Sequence, residues 1–173
     1  MDGHKSRVFA LCYHATQPDC FISGGWDDTV MVRQYNNASS IPNIYGPHIC
    51  GDALDIDAHH NHILTGSWRK ENVLQIWDYG SGAKIKDVPY DHVRNTQMYC
   101  CQWMGKDAII SGGSEQNIFR ILDRGTLNTL GQVVDLPNAV YCIDHDRTGS
   151  KARIAAGTDQ RIFVMKTEKK EKH

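Results

Sequence analysis

Apolar and polar residues alternate along this chain in short runs, separated by Gly, Asn, Asp and Pro. The clearest runs are "VFALCYH" from Val8, "DALDIDAH" from Asp52, "MYCCQWM" from Met98 and "VYCIDHD" from Val140. A period of two places successive side chains on opposite faces of a strand, so each run predicts a β-strand buried on one side. Each is followed by a shorter apolar run, "CFIS", "HILT", "AIIS" or "RIAA", then by a small-residue turn and a third alternating run. A poorer fourth run, "IPNIYG", "AKIKDV" or "TLGQVVDL", closes the first three sets. No segment sustains the 3.6-residue period of an amphipathic helix. The chain reads as all-β.

The sets repeat. "SGGWDDTVMV", "TGSWRKENVLQIWD", "SGGSEQNIFRILD" and "AAGTDQRIFVM" align on Gly24, Gly66, Gly112 and Gly157, spaced 42, 46 and 45 residues apart. Four-stranded units at that period predict β-propeller blades. The expected units run from about 3–45, 46–89, 90–135 and 136–165 within a 1–165 repeat region. The remainder, 166–173 ("KTEKKEKH"), reads as a charged, disordered tail.

The motifs resemble the WD-repeat (WD40) β-propeller family over nearly the whole chain. Trp77-Asp78 is the dipeptide that names it, Gly3-His4 matches its opening Gly-His, and Gly46-Pro47-His48 is a looser version. Asp27 and Asp159 match its acidic turn residue, with Glu115 as a stand-in. Unit three carries Leu122-Asp123 in place of Trp-Asp, unit one Arg33-Gln34, and unit four ends in "FVMK". The resemblance implies a hydrogen-bonded chain tying the strands of each blade together. Its expected members here are His4, Ser23, Asp27, Trp77, Asp78, Asp123 and Asp159.

Composition narrows the function. Nineteen Lys and Arg against twenty Asp and Glu give a formal charge of −1, without the basic footprint of a nucleic-acid or membrane-surface binder. No run approaches the ~18 apolar residues of a membrane helix, and "MDGHKSRVFA" lacks a signal-peptide core. The six cysteines form no CxxC pair. They read as free thiols in a reducing compartment, the cytoplasm or the nucleus. No phosphate loop, nucleophile elbow or zinc-protease motif occurs, so the expectation is a non-enzyme without cofactor or metal. His59, His60 and His62 read as a polar hairpin loop, since a structural metal site needs a further spaced ligand.

Members of the resembled family usually close with about seven or eight blades. Four leave two apolar sheet faces uncovered. Two copies joined into an eight-bladed homodimer ring would cover them; so would another half-propeller or a longer parent chain. The resemblance also implies a top surface where partners bind, formed by two positions in each blade. The residues before the turn acid are Trp26, Trp68, Ser114 and Thr158, and those opening the innermost strand are Phe9, Asp52, Tyr99 and Tyr141. Five of the eight are aromatic, the type that anchors protein interfaces, and Arg69 beside Trp68 adds to them. Packing between blades is the competing role for each aromatic. The expected function is an interaction scaffold with a peptide or protein partner. The alternative is a structural subunit completing a ring in a larger, for example ciliary or cytoskeletal, assembly.

Overall fold

A computed structural model describes residues 3–35, 42–90, 96–148 and 152–168. Every regular element among them is a strand. The first sheet comprises β1 (Val8–Tyr13), β2 (Cys20–Gly25), β3 (Thr29–Gln34) and β4 (Ile44–Tyr45). The second comprises β5 (Leu54–Asp57), β6 (His62–Gly66), β7 (Leu74–Asp78) and β8 (Lys84–Asp87). The third comprises β9 (Gln97–Met104), β10 (Ala108–Ser114), β11 (Phe119–Asp123) and β12 (Thr129–Val133). The fourth comprises β13 (Cys142–His145), β14 (Arg153–Gly157) and β15 (Ile162–Lys166). In each sheet, strands pair antiparallel in chain order, which gives a four-blade β-propeller arrangement.

Sheets one to three have four strands each, and the fourth has three among the described residues, matching the fourth alternating run found only in the first three units. Lys166 pairs with Arg153 at the end of β15. Residues 169–173 lie outside the described residues, as does Ile41 of the "IPNIYG" run.

The alternation seen in the sequence becomes the packing between blades. One apolar cluster joins sheets one to three and includes Ile22, Val30, Leu54, Leu74 and Cys101; a second joins sheets three and four and includes Phe119, Val140, Ile143 and Ile154. Full burial of one such side chain contributes about 1.5–3 kcal/mol, so these clusters carry most of the fold. The anchor glycines sit where neighbouring sheets approach closely. A Cβ at Gly24 would lie 2.8 Å from Ile49 Cγ1, and one at Gly112 would lie 2.6 Å from Val140 Cγ1.

Candidate functional site: the aromatic rim and the joints

The repeat register brings the predicted aromatics into two contacting groups. Phe9 lies 5.0 Å from Trp26 between ring centroids, and Trp26 stacks on His48 at 6.5 Å and 3°. Arg7 sits over the Trp26 ring at 5.2 Å, and the indole Nε1–H donates to Cys50 Sγ at 3.0 Å. In the second group Trp68 contacts Tyr99 at 6.4 Å, and Tyr99 contacts Tyr141 at 4.9 Å. The rings pack on one another yet stay open to solvent. Phe9 is 38%, Trp26 41%, Trp68 38% and Tyr141 46% exposed.

Charge links the two groups across the joint between blades one and two. Where the first blade has the turn acid Asp27, the second has Arg69. Arg69 pairs with Asp28 at 2.5 Å, and His48 Nδ1 meets the other oxygen of Asp28 at 2.7 Å. Burial raises the Asp28 carboxyl, but bonds from His48 and Arg69 outweigh it and hold the group below the usual range. The looser Gly-Pro-His motif thus points its histidine back to the preceding blade. The sequence showed both residues but not the pairing, because the partners belong to different units. Asp52 is exposed at the same rim, Ser114 is half-buried, and Thr158 forms a local turn in which its hydroxyl donates to Arg161 O.

The expected structural chain occurs in pieces. In blade one His4 Nδ1 meets Asp27 at 2.9 Å, His4 Nε2 meets Ser23 Oγ at 2.8 Å, and Lys5 N–H donates to Asp27. In blade two Trp77 Nε1–H donates to Thr65 Oγ1 at 2.9 Å. Ser23, Thr65 and Ser111 each precede an anchor glycine. Blade three has Leu122 where blade two has the tryptophan, and among the described residues Ser111 Oγ is buried without a partner. In blade four Ala156 takes the place and needs none. Asp78 and Asp123 do a different job. Each caps the turn into the outer strand, accepting from the backbone and hydroxyl of Ser81 and Thr126 respectively. Asp159 accepts from Asn138.

A partly buried carboxylate that the repeat did not flag also links blades two and three. Asp57 takes Arg124 of the third sheet and His60, while Arg124 also meets His62 and stacks on Trp103 at 4.2 Å. Burial raises the Asp57 carboxyl, but the Arg124 and His60 bonds dominate and hold it at about 2. The three histidines of the hairpin line a cleft of about 490 Å³ that also includes Lys106 and Arg124.

The family model described as "WD domain, G-beta repeat" matches residues 1–33, the span of the Gly-His motif and most of the first three strands. No curated protein matches the sequence. Among solved structures, the "Crystal structure of the computationally designed Ika4 protein" is similar at 16% identity with a TM-score of 0.75, covering 97% of this chain and 96% of that one. At that identity the likeness shows the fold alone. The family match and the four-blade β-propeller arrangement together support a WD40 half-propeller.

Proposed function

We propose that this chain is a non-enzymatic interaction scaffold whose aromatic rim receives a peptide or protein. Its fold is of a kind whose WD40 members generally bind protein partners. The observation that carries the reading is the run of half-exposed rings from Phe9 through Trp26 and His48, continued by Trp68, Tyr99 and Tyr141. Rings held by one another present large apolar area at low entropic cost. Asp52, Arg69, Ser114 and Thr158 supply the polar contacts around them. Partner capture by the wild type and by a Trp26→Ala, Trp68→Ala double variant tests this. Equal recovery of the same partners from both would sink it.

Self-association belongs to the same reading. The two end blades display apolar residues at Leu11, Tyr13, Ile162 and Val164, and two copies closing an eight-bladed ring would bury them. Those faces equally favour a second reading, a structural subunit that completes a different protein's ring. In that case its essential contacts are the blade faces, and the rim variant binds normally. The cytoplasm or nucleus is the proposed compartment, in keeping with buried free thiols at Cys20, Cys100 and Cys101.

A further inference from the structure

Equivalent strand positions line every joint of the half-ring. In β3 and β7 they are Val30, Val32, Leu74 and Ile76, none more than 5% exposed. The same positions of β15 are Ile162 and Val164, 78% and 73% exposed. Across the first two joints, Leu54 and Ile56, and Cys101 and Trp103, are buried, whereas their counterparts in β1, Leu11 and Tyr13, are 58% and 61% exposed. One end of the half-ring therefore carries the receiving surface of a joint, and the other end carries the entering surface.

A carboxylate bridges the joint between blades two and three. Asp55 Oδ1 accepts the next N–H of its own strand, from Ile56 at 2.8 Å, and Oδ2 accepts Trp103 N–H of the next blade at 2.8 Å. Asp144 holds the same place in β13. Its Oδ1 accepts His145 N–H at 2.8 Å, and among the described residues its Oδ2 has no hydrogen-bond partner. Tyr13 holds the place of Trp103. Because His14 N–H bonds Cys20 O, strand alternation points the Tyr13 N–H away from β2.

We propose that Asp144 of one copy accepts the backbone N–H of Tyr13 of a second copy, and that this contact sets the register in which two half-rings close. The inference rests on the self-association reading above and adds its geometry. By two-fold symmetry the contact occurs twice. Ile162 and Val164 then cover Leu11 and Tyr13, and Cys142 lies beside Val8 as Cys100 lies beside Val140, whose carbonyl is 3.6 Å from the Cys100 sulfur.

Sedimentation equilibrium of the chain should give twice its 19.5 kDa mass. Val164→Asp, at an exposed site, should return one mass with an unchanged circular dichroism spectrum. Asp144→Ala should weaken the dimer about a hundredfold, roughly tenfold for each of the two symmetric charge-assisted bonds it removes. Mild oxidation of a Val8→Cys variant should give a disulfide-linked dimer whose peptide map joins position 8 to Cys142, and Cys142→Ser should abolish it. A monomeric wild type overturns both self-association and the joint. A dimer indifferent to Asp144→Ala, or linked elsewhere than Cys142, overturns the register and leaves self-association standing.

Discussion

The Asp55 carboxylate accepts the backbone N–H of Trp103 at 2.8 Å from the neighbouring sheet, so a single side chain spans two blades. Burial pushes its carboxyl up, partly offset by the bonds from Trp103 and Ile56. Asp55→Ala leaves two backbone donors unpaired and should cost about 1–3 kcal/mol in urea unfolding. Asp55→Asn keeps an acceptor without the buried charge and should cost less than the alanine. An alanine variant as stable as wild type would mean that apolar packing alone aligns this joint.

The residues before the anchor glycines give a graded series. Trp77→Phe removes the donor to buried Thr65 and should cost about 1–2 kcal/mol, with a double-mutant cycle against Thr65→Val showing that most of the loss is shared. His4→Ala should cost a similar amount by freeing Ser23 and Asp27. Ser111→Ala runs the other way. It removes a buried hydroxyl that has no partner among the described residues, so it should leave stability unchanged or raise it by up to about 1 kcal/mol. Calorimetric melting temperatures would check the order.

Acid should weaken the contact between blades two and three. With its carboxyl held at about 2, Asp57 contributes stability that is fully present above the unfolded value of roughly 4 and is lost as pH falls from there through 2. The contribution at neutral pH is of the order of 2–3 kcal/mol at most. Asp57→Asn should be less stable at pH 7 and should lose less between pH 5 and pH 2. Parallel wild-type and variant stability curves over that range would refute the assignment.

The rim tryptophans should separate binding from folding. Trp26 and Trp68 are 41% and 38% exposed, so each alanine variant should cost about 1 kcal/mol or less of stability while partner recovery falls several-fold. A loss of stability as large as that of a core truncation would mark these rings as packing residues.

The sequence by itself determined the strands, their grouping into repeated units and the faces that are buried. Those are local matters. Alternation with period two decides which side of a strand is apolar, and the anchor glycines mark where each unit repeats. The aromatic positions were legible for the same reason, since register alone picks out Phe9, Trp26, Trp68, Tyr99 and Tyr141. Tertiary structure decided what those positions touch. Arg69 stands where a turn acid belongs, and only the wedge between blades shows that it answers Asp28. His48 reaches backward, Asp55 forward, and Arg124 lies 67 residues from Asp57. Such partners are set by how sheets lean on one another, which no pattern within a strand encodes. The exposure of Leu11, Tyr13, Ile162 and Val164 likewise depends on which surfaces find a neighbour, because the same strand positions are buried inside the joints.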